Sequence, residues 1–222
     1  MRIKGLENSW WKRFYLLFGT PLVYTKQRKQ QHEKAVKWLK REYSNMPSLL
    51  SAIKFIKQNE NVKFTKLFYN KVIFSKIYDE KSGFDAEGLL FLFEKDIVQG
   101  YQEYIHYEKS ILEIENIVLD KFPNKNIVLE YRYNREKQWF NFSIHEVPVG
   151  VLCGMNGATQ EQIKGMKSDL EDFRKLCLLL NKNEDKYVSY ILSLYNAWDD
   201  YLRNVNKYSG LKDYLDKNKI KY

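Results

Sequence analysis

Residues 126–145 read NIVLEYRYNREKQWFNFSIH, and this stretch decides whether the chain is wholly helical or carries a sheet. Ile127, Leu129, Tyr131 and Tyr133 alternate with Val128, Glu130, Arg132 and Asn134. Beyond a polar turn at 134–137, Phe140, Phe142 and Ile144 alternate with Asn141, Ser143 and His145. Alternation of period two on both sides of a polar turn is the pattern of a half-buried β-hairpin. A lone hairpin is marginal in water, so this one is expected to pack on helices, with residues 149–153 as a third strand.

Helical periodicity governs the sequence on the C-terminal side. Thr159 and Gln162 have capping-box spacing, and Ile163, Met166, Leu170, Phe173, Cys177 and Leu180 then share one face. After Asn181-Lys182-Asn183, a second helix places Val188, Ile191, Tyr195, Trp198, Leu202 and Val205 on its apolar stripe. Two amphipathic helices joined by a short polar turn predict an antiparallel helical hairpin. A short helix and a basic tail complete the chain over 209–222.

The N-terminal side is also helical. Tyr104/Ile105, Ile111/Leu112 and Val118/Leu119 recur every seven residues, as in a seam packed along another helix. Ser48 is expected to cap a helix running to about Gln58, and residues 62–78 are read as helix. Thr20-Pro21 has the form of an N-cap followed by proline at the first helical position, opening a helix to about Tyr43. The fold class is therefore α+β and predominantly α-helical: a helical bundle with one β-hairpin, at about 126–145, before the C-terminal helical hairpin. Lys81-Ser82-Gly83 is the clearest break, dividing a basic helical lobe (1–81) from a body (82–222), with one continuous domain as the alternative.

Composition narrows the function classes. Hydrophobic residues make up 44% of the 222 and charged residues 29%, a globular balance. Two cysteines, Cys153 and Cys177, form no disulfide framework and no CxxC, which points to a reducing, cytoplasmic setting. The apolar stretch 14–24 is too short to span a bilayer, and no transmembrane segment is expected. Net charge is +9 but uneven: residues 1–81 carry +12 and residues 82–222 carry −3. Such asymmetry aims the field at one end of the molecule. Lysine outnumbers arginine 29 to 8, a bias shared with AT-rich coding.

The positive charge is densest on the helix opening at Pro21. Lys26, Arg28, Lys29, Lys34, Lys37, Lys40 and Arg41 lie there with few acids, and Trp10 and Trp11 are close in sequence. Lysines neutralise phosphates, and aromatic rings stack on unpaired bases. The expected function is a non-enzymatic binding protein for nucleic acid or a ribonucleoprotein, of the kind that serves as an accessory or inhibitory factor of a bacterial mobile element or antiviral defence system. The alternative is a protein–protein adaptor recognising an acidic partner, with Tyr190, Tyr195, Trp198 and Tyr201 of the last long helix as the partner surface.

A further alternative is a metal-independent ribonuclease. Arg28 and His32, four residues apart on one helical face, resemble the Arg–His pair of helical ribonucleases, whose spacing is longer. His145, which precedes Glu146, is a further candidate general base, His106 stands apart, and no HxxxH pair occurs. The loop GVLCGMNGAT (150–159) lacks the spacing of a phosphate-binding motif. No catalytic residue, cofactor or metal site is assigned.

Overall fold

The computed structural model describes residues 10–13, 25–42, 45–60, 64 and 66–222; within 25–42, side chains are described at 29, 30 and 32–42. Two compact units divide it, Met1–Pro123 and Asn124–Tyr222. The break at Lys81-Ser82-Gly83 lies inside the first unit, where Asp79 Oδ1 accepts from the Lys81 and Ser82 amides at 3.0 and 3.1 Å and closes a tight turn. The expected Thr20-Pro21 cap lies outside the described residues.

In the first unit, residues 10–13 are helical and α1 spans Thr25–Arg41. Helix α2 (Leu49–Gln58) starts at Ser48, whose hydroxyl accepts from the Ser51 amide. Helix α3 (Lys66–Phe68) continues as a π-helical turn, Tyr69–Ile73, and a 3-10 turn, Phe74–Lys76. Strands β1 (Tyr78–Asp79) and β2 (Gly83–Phe84) pair antiparallel, with Tyr78 opposite Phe84. Helices α4 (Ala86–Glu94), α5 (Val98–Tyr104) and α6 (Ile111–Lys121) follow.

Helix α4 is the centre of this unit. Ala86 and every residue from Gly88 to Phe93 are buried, as expected of a helix that is apolar on all sides. A Cβ at Gly88 would sit 2.8 Å from Leu49 Cδ2 and 3.2 Å from Ile77 Cγ1, so both side chains pack directly against this glycine. The Asp85 carboxylate caps α4, accepting from the Gly88 amide at 2.7 Å.

The second unit opens with α7 (Asn126–Ile144), which replaces the hairpin expected over 126–145. Leu129, Tyr133, Phe140 and Ser143, spaced by four, seven and three, are its buried face. Val128 is fully buried on a second side, and Tyr131, Arg132 and Trp139 are half-buried, so an alternating pattern coexists with the helical one. The supposed turn, Asn134–Lys137, contains neither glycine nor proline, and Asn134 is its one residue suited to the positive φ of a hairpin loop. Residues 149–153 are likewise not a third strand there. Instead β3 (Leu152–Cys153) pairs with β4 (Asn156–Gly157) in a small antiparallel strap.

The C-terminal helical hairpin is present as expected. Helix α8 (Gln160–Leu179) begins with the Thr159–Gln162 capping box and buries Ile163, Met166, Leu170, Phe173 and Cys177. Helix α9 (Asp185–Arg203) packs against it and buries Val188, Ile191, Leu194, Tyr195 and Trp198. The Phe173 ring stacks on Tyr133 at 5.4 Å and meets Phe140 edge-on at 5.3 Å, joining α7 to the pair. Helix α10 (Leu211–Lys217) closes on α9. The predominantly helical α+β class holds: strands among the described residues are confined to the two short pairs. No described helix is long and apolar enough to cross a membrane.

Four helices end in one motif with no glycine in it. After α4, Ile97 N–H donates to Leu92 O at 2.9 Å and Asp96 N–H to Phe93 O at 3.2 Å, with Asp96 at φ 53°. The same pair of bonds closes α5 around His106 (φ 51°), α8 around Asn181 (φ 53°) and α10 around Lys219 (φ 56°). This is the Schellman arrangement, in which a left-handed residue satisfies the last carbonyls and glycine is the usual occupant. An L-residue there costs about 1–2 kcal/mol, offset by glycine's larger entropy loss of about 0.5–1 kcal/mol. Replacing Asp96, His106, Asn181 and Lys219 together by glycine is therefore expected to raise the unfolding free energy by about 2–3 kcal/mol, because separate sites add. Urea denaturation reads this directly, and a net loss of stability would contradict the cap geometry.

Candidate nucleic-acid interface

Helix α1 has one acid, Glu33, among seven cations, and none in its first turn. Its last turn carries Lys40 and Arg41, which complement the negative end of the helix dipole. Ala35, Trp38 and Leu39 are buried at 1%, 9% and 2% exposure, fixing one face in the core. The Trp38 ring lies 5.2 Å from Trp10, which meets Trp11 edge-on at 4.9 Å; Trp11 stacks flat on Phe55 at 3.9 Å.

The opposite face holds the expected cations. Lys29, Lys34, Lys37 and Lys40 are exposed and make no ion pair with a described residue. Arg41 is also exposed, with its Nε 3.5 Å from Glu42. The 3.6-residue period places these five within an arc of about 140°. Lys26 and Arg28 belong to the same helix, but their side chains lie outside those described. Trp10 and Trp11 do not join this face: at 8% and 3% exposure they are core residues, and their rings are turned away from any stacking role.

The expected partner surface on α9 is mostly interior. Tyr195 is fully buried, its hydroxyl 2.6 Å from Ser143 Oγ. Trp198 is buried as well, donating from Nε1 to Ala158 O at 2.7 Å. Tyr201 is half-buried between Trp198 and Tyr214. Of the four, Tyr190 alone is exposed, at 39%. Tyr195 and Trp198 are therefore core residues and not partner anchors.

Arg28 and His32 share helix α1, and the Arg28 side chain lies outside those described. His32 is exposed, His106 is a helix C-cap, and His145 is exposed with Nδ1 2.6 Å from Phe142 O. No cluster of three metal-ligating side chains occurs among the described residues.

Two arrangements have no counterpart in the sequence reading, and both lie on α7. Glu184 accepts from the Tyr133 hydroxyl and, at 2.7 Å, from Lys137 Nζ. Lys137 also lies 4.9 Å from the Tyr187 ring centroid, and Lys182 lies 4.4 Å from that of Tyr133. The hydrogen bond from Lys137 holds the Glu184 carboxyl below its ordinary range, and the same bond raises the Lys137 pKa. A cavity of about 250 Å³ adjoins this cluster, lined in part by Arg174, Cys177, Lys182 and Glu184. Arg174 and Lys182 are already paired, with Asp185 at 3.5 Å and Glu130 at 3.0 Å. Burial pushes the Cys177 thiol up to about 11, so it remains protonated and unreactive at neutral pH. The cluster is an internal brace.

The second arrangement is a ladder of rings, with Trp139 and Phe142 at 5.8 Å and Phe142 and His145 at 5.0 Å, each pair nearly parallel. Spacing of three would have revealed it had the segment been read as helix. Compared with known proteins, the chain matches no family model, no curated protein and no solved structure.

Proposed function

We propose that this protein is a non-enzymatic nucleic-acid-binding protein, taking free nucleic acid or a ribonucleoprotein on the exposed face of α1. One observation carries the reading: Lys29, Lys34, Lys37 and Lys40 project from a helix whose other face is anchored by Ala35, Trp38 and Leu39. Exposed lysines on a fixed helix are suited to phosphate contact, since neutralising each phosphate releases condensed counterions. The first 81 residues, at +12, supply the long-range attraction.

The test is replacement of Lys29, Lys34, Lys37 and Lys40 by glutamate, with circular dichroism to verify folding. Affinity for a labelled nucleic acid at about 50 mM salt is expected to fall roughly a hundredfold or more, and the salt slope to lose about 0.9 per duplex phosphate contact. Unchanged affinity and slope would remove α1 from the interface. An acidic protein is the other partner this charge would suit; binding to a polyanionic protein with none to nucleic acid would select it.

A further inference from the structure

We infer that Glu33 is a brake built into the lysine face of α1, a carboxylate that holds the helix's affinity for nucleic acid below what its cations alone would give. This rests on the nucleic-acid reading of α1 and concerns the tuning of that same site.

Glu33 is the one acid of α1, and it is exposed. With a turn of about 100° per residue, it lies about 40° round the helix from Lys29. Lys40 falls at about 20° and Lys37 at about 80° on the same scale, so the acid stands inside the arc of cations. Along the axis it is about 6 Å from Lys29 on one side and from Lys37 on the other, each four residues away. A phosphate track laid from Lys29 to Lys40 passes over it.

The helix itself has little use for this charge. An acid stabilises the helix dipole within the first turn, whereas Glu33 is the ninth of the 17 residues of α1. Glu42, beyond the helix end, has a different role: it lies 3.5 Å from Arg41 Nε and accepts from Asn45 Nδ2 at 3.3 Å. That carboxylate ties down the chain where α1 ends, and Glu33 stands among the lysines instead.

Its effect on a polyanion follows from Coulomb's law. In water a unit charge about 7 Å from a phosphate changes affinity by about threefold before screening. A Debye length of about 10 Å at 0.1 M salt leaves much of that interaction in place. The carboxylate opposes phosphate charge and not a base edge, so it weakens binding to all sequences alike.

The experiment is fluorescence anisotropy of the full chain and of its Glu33→Gln and Glu33→Lys variants. The probes are a labelled 30-base-pair duplex DNA and a 30-nucleotide single strand, at about 50 and 200 mM salt. Glutamine keeps the shape and the helix propensity of glutamate, so the urea midpoint of Glu33→Gln should not move. At the lower salt this variant is expected to bind about threefold more tightly, and Glu33→Lys tenfold or more. The added cation should also steepen the plot of log K against log salt by about 0.9 on the duplex or about 0.7 on the strand. Affinity unchanged in Glu33→Gln would overturn this inference while leaving the nucleic-acid function in place. Affinity reduced in that variant would overturn it too, and would mark the carboxylate as an acceptor for a base amino group. Absence of binding by all three proteins to both probes would remove the inference and the nucleic-acid reading together.

Discussion

Trp198→Ala is expected to lower the unfolding free energy by about 3–5 kcal/mol, the usual cost of emptying a buried aromatic site. The indole ring is enclosed by its neighbours. A Cβ at Gly150 or at Gly157 would sit 3.3 Å from the ring, so both glycines lie directly against it. Its Nε1–H donates to Ala158 O at 2.7 Å, and the Ala158 amide donates in turn to Val151 O at 2.7 Å. The strap 150–158 is thereby tied to α9 through one side chain. Removal opens a void and leaves the Ala158 carbonyl without its donor, a penalty of about 1–3 kcal/mol for a buried group. Trp198→Phe keeps much of the ring and drops the donor, and its loss should be near that smaller figure. Gly157→Ala should also destabilise, by about 1–3 kcal/mol of overpacking. Chemical denaturation followed by circular dichroism measures all three. A partner anchor on the surface would behave differently, since exposed substitutions usually change stability by less than about 0.5 kcal/mol. A Trp198→Ala protein of undiminished stability would return this residue to the partner surface.

The sequence made the caps and stripes legible wherever a local signal was complete. Ser48 starts α2 and Thr159 starts α8 with the bonds their spacing predicts, because a hydroxyl at the N-cap has a defined backbone donor to meet. The α8–α9 pair follows from apolar spacing of three and four alone. Helix ends were harder to read. The heptad seam from Tyr104 to Leu119 does not exist as one helix: α5 stops at Tyr104 and α6 begins at Ile111. The stop is His106 in the left-handed region, a position where glycine would have announced it. The restart was visible as Ser110-x-x-Glu113, a capping box in which each side chain bonds the other's backbone. Over 126–145 the failure has another cause. Helix α7 has apolar or aromatic residues on most sides, and periodicity cannot separate helix from strand when both patterns fit.

The lysine face was legible because charge needs no tertiary context. The fate of the tryptophans was not, since a ring near cations in sequence is equally suited to a binding surface and to a core. That ambiguity makes Trp11 the informative residue of the first unit. Its indole stacks on Phe55 with centroids 3.9 Å apart and planes within 3°, and it lies 6.3 Å from Phe68. At 3% exposure it offers no face to a base. Trp11→Ala is expected to cost about 3–5 kcal/mol of stability. Affinity per folded molecule for nucleic acid should stay within about threefold under conditions where the variant remains folded, because the lysines of α1 are untouched. A base-stacking Trp11 would give the reverse result, with stability kept and affinity reduced by about 1–3 kcal/mol for each base unstacked. Denaturation and anisotropy on one purified variant separate the two. The result bears on Lys37 and Lys40 as well, which flank Trp38: the Trp10, Trp11 and Trp38 rings are what seat that part of α1. Weakening the seat should therefore loosen the helix that presents the lysines before it alters any contact they make.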